Sequence, residues 1–448
     1  MGRSASRPRA AVRLTPPGGP VTPQRSTIFA HSSGRPPAAI ALIRLSGPEA
    51  HQAAQQLCGS LPPPRVAGLR TLSAQDGTLL DEVIVLRFDG PASATGEDVV
   101  EFHCHGGRAV IEAILGELGR APGLRAALPG EFTRRALVNG RLDLTEAEGL
   151  ADLLEAETES QRRAALMLTG GALRRQIEDW AVRLVMLSAQ AEAAIDYVGD
   201  EDETAADPEQ LAGAAALIGA EMGEWLRRPR AEPLKDGIRV VLAGPPNAGK
   251  SSLLNALVGQ DRAIVTPIEG TTRDTIEVPV SIGGVPLVLV DTAGLRASDD
   301  AVERLGVERT RSEVRVADVL LWLGEPKHAP SAAARVIVHP RCDLPNRVVA
   351  PSGTLPVSAV SGAGLPELTL RLVELAQSLL PREGEVALNQ RQANAIELAS
   401  AALSAAPADL ILVADNLRSA RAALDRVTGR VGIEDVLDQL FRRFCLGK

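Results

Sequence analysis

The chain has 448 residues, too many for a single hydrophobic core, so about three domains are expected. Its 48 Lys and Arg stand against 56 Asp and Glu, which excludes a whole-protein basic field for nucleic acid and makes any RNA contact local. Four widely separated cysteines, without CxxC or Cys/His ligand spacing, argue against a zinc site or disulfide framework and fit a reducing cytoplasm, and no apolar run reaches the roughly 18 to 20 residues that span a bilayer.

Residues 1–25 are rich in Pro, Arg and Ser and contain no acidic residue. They are expected to form a disordered extension or to reflect an early start codon, because their prolines and glycines spoil the amphipathic helix of a transit peptide. From 26 to 139, short apolar runs at Ala38–Ile43, Glu82–Leu86 and Val99–Phe102 alternate with turns, the pattern of a compact α+β domain. Residues 140–236 are rich in Ala, Leu, Glu and Arg, with apolar positions three and four apart. That spacing predicts helices, broken at Gly170-Gly171 and again in the acidic stretch from Asp196 to Asp202. From 237 to 380 strand-like and helical runs alternate, as in a doubly wound α/β domain. Residues 381–448 return to helical composition. The expected architecture is therefore multi-domain α/β plus all-α, with a nucleotide domain inserted into a helical one.

Residues Gly244 to Ser252 read Gly-Pro-Pro-Asn-Ala-Gly-Lys-Ser-Ser, a complete G-x-x-x-x-G-K-[ST] loop directly after the apolar run Ile238–Ala243. A buried strand should end at Gly244 and a helix should begin near Ser251. The glycines let the backbone wrap phosphate oxygens, presenting N–H groups and a helix N-terminus to negative charge. Asn247, Ala248, Gly249, Lys250, Ser251 and Ser252 are thus nucleotide contacts, with Lys250 reaching the β- and γ-phosphates. Ser251 offers its hydroxyl to Mg²⁺, a hard cation that prefers oxygen.

A second strand, Val288–Val290, delivers Asp291-Thr292-Ala293-Gly294, a D-x-x-G signal with Asp291 near Mg²⁺ and the Gly294 N–H sensing the γ-phosphate. Between the two motifs, Thr266-Pro267-Ile268-Glu269-Gly270-Thr271-Thr272 supplies hydroxyls that can complete the metal shell. Guanine selectivity is expected from N-K-x-D, but this chain reads Pro340-Arg341-Cys342-Asp343. Asp343 can still accept two hydrogen bonds from the guanine edge, and the Arg341 stem can cover the base plane. Ser358-Ala359 supplies the loop that backs the base. Leu295 occupies the place where many GTPases carry a water-orienting glutamine, so another group must do that work. Glu303 is the nearest reasonable candidate.

With Gly-Thr-Thr-Arg-Asp at 270–274, Asp-Thr-Ala-Gly-Leu-Arg at 291–296 and the terminal Cys445-Leu446-Gly447-Lys448, the chain resembles the MnmE (TrmE) family of tRNA-modification GTPases. The likeness runs from about Thr27 to Lys448. Its other specific marks are Asn139-Gly140-Arg141-Leu142-Asp143-Leu144 and Gly96-Glu97-Asp98-Val99-Val100-Glu101 ahead of His105-Gly106-Gly107. The resemblance implies a homodimer formed through the N-terminal domain, which binds formyl- or methylene-tetrahydrofolate. It also implies the FAD protein MnmG as partner and an aminomethyl-type group placed on C5 of the wobble uridine of certain tRNAs. It assigns K⁺ to Asn247, Thr266, Ile268 and Thr271, Mg²⁺ to Ser251 and Thr272, and water orientation to Glu303. Folate falls to Arg44, Glu101, Arg141 and Lys448, with arginine at 141 where the family usually has lysine. Cys445 becomes a candidate in the modification chemistry. Two other classes stay open: a GTPase switch in ribosome or RNA assembly, and a nucleotide-binding scaffold with weakened guanine selectivity.

Overall fold

The computed structural model describes residues 26–196, 207–260, 276–291, 312–332, 334–347, 349–382, 384–404, 409–431, 434–444 and 447. The chain forms two compact units, one of residues up to Arg141 joined by Phe441–Lys448, the other of Leu142–Leu440.

The first unit contains β1 (Thr27–His31), β2 (Ala38–Ser46), α1 (Ala50–Cys58), β3 (Gly68–Ser73), β4 (Leu79–Phe88), β5 (Val99–Gly106), α2 (Arg108–Arg120), β6 (Leu124–Ala126) and α3 (Glu131–Val138). Its sheet runs β3-β4-β5-β2-β1-β6 and is antiparallel except for the β1–β6 pair. Period-two alternation on β4 and β5 sends Val83, Val85, Val100 and Phe102 into one core with Ile111, Ile114 and Leu118 of α2. The end of the chain belongs to this unit as well. Gly447, at φ +92°, packs so closely on Ser32 that a Cβ would lie 2.6 Å from the Ser32 Cα, so only glycine fits. Composition alone assigned all of 381–448 to the helical region, since it cannot show which surface a terminal segment lies against.

The second unit begins with α4 (Leu144–Glu155), α5 (Glu159–Thr169), α6 (Ala172–Asp196), α7 (Pro208–Leu226) and α8 (Glu232–Asp236). Asp143 caps α4 in a reciprocal capping box with Glu146, and Thr158 does the same for α5 with Gln161. The predicted break falls between α5 and α6, where Gly171 has φ +73°. The acidic break lies largely outside the described residues. The nucleotide segment follows as β7 (Ile238–Ala243), α9 (Lys250–Gln260), β8 (Ile276–Ile282), β9 (Val285–Asp291), β10 (Val319–Trp322), β11 (Arg335–Pro340), β12 (Leu355–Val357) and α10 (Leu365–Leu379). Its sheet order is β12-β11-β10-β7-β9-β8, parallel but for the β8–β9 hairpin.

The chain ends with α11 (Gln390–Ser404), α12 (Leu410–Thr428) and α13 (Glu434–Arg442). Helices from both sides of the nucleotide segment share one core: Trp180 and Leu184 of α6 and Met222 of α7 bury with Ile396 of α11 and Leu417 of α12. Polar groups reinforce the join. Glu148 of α4 accepts from Arg391 at 2.8 Å on both oxygens and from Gln392 at 2.7 Å, across 243 and 244 residues. A buried carboxylate with three such donors is satisfied rather than costly.

Candidate nucleotide-binding site

Strand β7 is central, apolar and almost wholly buried, which suits a strand flanked by parallel neighbours with both faces covered. It delivers the phosphate loop to the carboxyl edge of the sheet. There, β9 lies on one side and β10 on the other, the kind of topological switch point where α/β sheets bind ligands. Gly244 turns the chain out of the strand at φ +155°, and a Cβ on it would sit 2.7 Å from the Leu323 carbonyl oxygen. Only glycine allows that approach.

Lys250 opens α9 and is 7% exposed. Its ammonium folds over the loop, donating to the carbonyls of Gly244 at 3.0 Å and Pro245 at 3.1 Å. Burial pushes its pKa down, and the Asp291 carboxylate opposes that shift. A cation held where water is scarce, on loop carbonyls beside a single carboxylate, is suited to take phosphate oxygens as further partners. Ser251 donates its hydroxyl to Asp291 at 2.5 Å, and Asp291 is 1% exposed at the end of β9. Two oxygen ligands side by side, next to a phosphate cradle, are the donor set that Mg²⁺ favours.

Away from the phosphates, a cavity of about 300 Å³ opens between the loop and the ends of β11 and β12. Ala248, Gly249 and Ser252 line one wall, Asp343 and Arg341 the second, Ser358 and Ala359 the third. Residues up to 112 positions apart (248 to 360) meet there. Ser358 shapes its own turn: fully buried, its hydroxyl accepts from the N–H groups of Val360 and Ser361 at 3.2 and 3.1 Å. Asp343 is exposed and available to a base edge. Thr266, Ile268, Thr271, Thr272, Thr292, Ala293, Gly294, Leu295 and Glu303 lie outside the described residues, as do Cys445 and Lys448.

In the first unit, β2 and β5 pair so that Arg44 faces Glu101 directly. Arg44 donates from Nε at 2.9 Å and lies at 2.8 Å through Nη2, while its guanidinium sits 5.7 Å from the Phe132 ring centroid. Arg141 is exposed on the turn after α3, alongside Gly96, so the two motif stretches at 96–101 and 139–144 meet at this point. Asn139 completes the contact by donating to the Thr95 carbonyl at 2.7 Å.

A family model described as the MnmE helical domain matches residues 144–445, and one described as the GTP-binding protein TrmE N-terminus matches 27–141. A "tRNA modification GTPase MnmE" from Rhizorhabdus wittichii is 53% identical over 428 residues, covering 94% of this chain and 96% of that one. The protein of the same description from Erythrobacter litoralis is 51% identical, covering 94% of this chain and all of its own length, 100%. Zymomonas mobilis has one at 50% identity, again covering 94% of this chain and 100% of its own.

The chain belongs to the MnmE family of tRNA-modification GTPases. Within this chain, motif reading missed Arg135, which is 7% exposed on α3. Arg135 pairs with Glu97 at 3.0 Å and Glu131 at 3.1 Å, and donates to the Ser26 carbonyl at 2.8 Å. Ser46 also donates to Glu97, at 2.7 Å. Burial raises the Glu131 carboxyl, but the hydrogen bonds from Arg125 and the Leu128 N–H, with the charges of Arg125 and Arg135, together hold it below the ordinary range. This network fixes the segment that carries Glu97 and Asn139. The sequence signals for it were the i,i+4 spacing of Glu131 and Arg135 and their place among the buried Phe132, Thr133 and Ala136 of the helix. No described helix of this chain is long and apolar enough to cross a membrane.

Proposed function

We propose that this chain hydrolyses GTP in a K⁺-dependent reaction. Acting as a cytoplasmic homodimer with MnmG, it would add an aminomethyl-type group to C5 of the wobble uridine of certain tRNAs. The observation that carries the GTPase reading is the 2.5 Å bond between Ser251 and Asp291 beside the buried Lys250, on the same loop whose Gly249 and Ser252 line a cavity carrying Asp343.

Each residue has a distinct task. Backbone N–H groups from Asn247 to Ser251 cradle the phosphates, and Lys250 holds the charge that grows on them as the terminal bond breaks. Asp343 accepts from the guanine edge, and Ser358 holds the turn behind it. Glu303 orients the attacking water, since Leu295 has no polar atom to do so. Ser251 and Thr272 would hold Mg²⁺, and Asn247, Thr266, Ile268 and Thr271 would hold K⁺, cations that neutralise phosphate oxygens when bound. In the first unit, Arg44, Glu101, Arg141 and Lys448 form the folate contacts, with the Arg44–Glu101 pair held ready by strand register. Cys445 is placed in the modification chemistry.

Steady-state hydrolysis of GTP and ATP, each in K⁺ and in Na⁺, tests the nucleotide half. GTP turnover should depend on K⁺, and equal rates in both salts would remove the potassium step. Mass spectrometry of wobble uridines after deletion of the gene tests the tRNA half, where an unchanged C5 modification profile rejects the pathway.

A further inference from the structure

In the first unit, away from the residues assigned above, an imidazole and two carboxylates converge from three segments. His51 lies in the first turn of α1, Asp89 follows β4, and Asp98 precedes β5. His51 Nε2 is 3.5 Å from Asp89 Oδ1 and 3.3 Å from the Phe88 carbonyl oxygen, while its Nδ1 is 3.4 Å from Asp98 Oδ2. One ligand atom from each residue falls within 4.8 Å of the others. Around a four-coordinate zinc with bonds of about 2.0–2.2 Å, neighbouring ligand atoms sit roughly 3.3–3.6 Å apart. Each His–Asp pair already has that separation.

Backbone contacts hold the three segments together independently of the side chains. The Gly47 N–H donates to the Asp98 carbonyl at 3.0 Å, tying the approach to α1 to the start of β5, and Phe88 pairs with Val99 across β4 and β5. Asp98 Oδ1 accepts from the Gly90 N–H at 2.9 Å, which leaves Oδ2 on the His51 side. Ligating carboxylates are oriented by outer bonds of this kind. Arg87 competes for the site, donating from Nε to Asp89 Oδ1 at 2.7 Å and from Nη2 to Oδ2 at 3.3 Å. An ion must draw one oxygen from that fork, which limits its affinity.

We propose that His51, Asp89 and Asp98 form a binding site for a divalent transition cation of the zinc type. The imidazole selects against Mg²⁺ and Ca²⁺, which prefer shells of oxygen. Cysteine spacing bears on thiolate zinc sites, and this set needs no thiolate. The carboxylates approach opposite ring nitrogens, so a single ion takes one nitrogen and the farther carboxylate turns toward it. All three residues are half-buried, which leaves the remaining position to water. A bound ion clips the start of α1 to both ends of the β4–β5 connection, the segment that carries Glu97 with its bonds to Ser46 and Arg135.

The test uses the full chain, with GDP and Mg²⁺ saturating the nucleotide site, and follows Zn²⁺ by competition with a chromophoric chelator. Wild type should bind an equivalent that His51→Asn and Asp98→Asn each weaken by about tenfold or more. Asparagine at 98 keeps an oxygen for the Gly90 N–H, so its loss reports the ligand rather than the loop. Arg87→Gln should tighten binding severalfold by freeing Asp89. Zn²⁺ at about a hundredfold over its dissociation constant should raise the wild-type Tm and leave that of Asp98→Asn unmoved. Co²⁺ in place of Zn²⁺ should give d–d absorption without a thiolate charge-transfer band. Equal Zn²⁺ affinity in wild type, His51→Asn and Asp98→Asn, or no equivalent in wild type, overturns the proposal. An unchanged affinity in Arg87→Gln removes Asp89 and overturns the three-residue site. Should His51→Asn lose its fold by circular dichroism, His51→Gln replaces it under the same criteria.

Discussion

The phosphate loop draws its lysine, its hydroxyl and its backbone donors from one short stretch, whereas Arg44 and Glu101 meet from strands 57 residues apart. The first site depends on backbone shape, so a string of glycines, Lys and Ser announces it. The second depends on register, because a one-residue slip between β2 and β5 would send one partner to the opposite face. A backbone-built site should therefore fail through conformation and local charge. A register-built site should fail through loss of a partner.

The largest effect is expected at Lys250. Lys250→Ala should lower GTP turnover by about a thousandfold or more, because the charge that develops on the phosphates loses its nearest fixed cation, while the melting temperature stays close to wild type. Steady-state kinetics alongside calorimetry would show it, and a drop of less than tenfold would remove Lys250 from the reaction.

Next in size is Gly244→Ala. The added Cβ must displace the Leu323 carbonyl from 2.7 Å, and the backbone stays in a region costly for alanine, so about 1–3 kcal/mol of stability should be lost with nucleotide affinity. Denaturant unfolding with and without GDP would separate the two losses, and wild-type behaviour in both would show the approach is not tight.

In the N-terminal unit, Arg44→Ala leaves the half-buried Glu101 without its main donor. A loss of about 1–3 kcal/mol is expected together with loss of folate binding, while GTP turnover in the isolated reaction is unaffected. Titration with a tetrahydrofolate derivative, read against GTPase rates of the same sample, checks both halves. A matching fall in GTPase rate would contradict the separation of the two sites.

The smallest effect concerns acid. The folded-state pKa of Glu131 lies below its unfolded value, so its pairs with Arg125 and Arg135 stabilise the chain above the ordinary carboxylate range, and that contribution is lost as pH falls through the folded value. Glu131→Gln should flatten the acid limb of the stability curve and leave it unchanged near neutrality in slope. An acid limb identical to wild type would show that Glu131 carries none of it.

Much of this was readable without coordinates, for a physical reason. Strand β7, the loop and α9 follow one another, so local patterning carries their geometry, and the switch from a continuous apolar run to helical spacing at Lys250 is visible in the chain. Gly96, Asn139 and Arg141 were recognisable as marks of the family, yet nothing in them showed that they touch. Arg135 escaped notice because Glu131, four residues before it, looks like an ordinary exposed helix pair, while the partner that ties it to the rest of the unit, Glu97, lies 38 residues away.

The sequence by itself determined that this chain binds a nucleotide triphosphate, that its domains alternate in class, and which family it belongs to, since those properties rest on local periodicity and contiguous motifs. Tertiary structure alone decided the rest: that the end of the chain packs on Ser32, that Glu148 joins helices across the nucleotide segment, and that His51 meets Asp89 and Asp98. Those are long-range contacts, set by how sheets pair and helices pack, and no local pattern encodes which distant residue will be the partner.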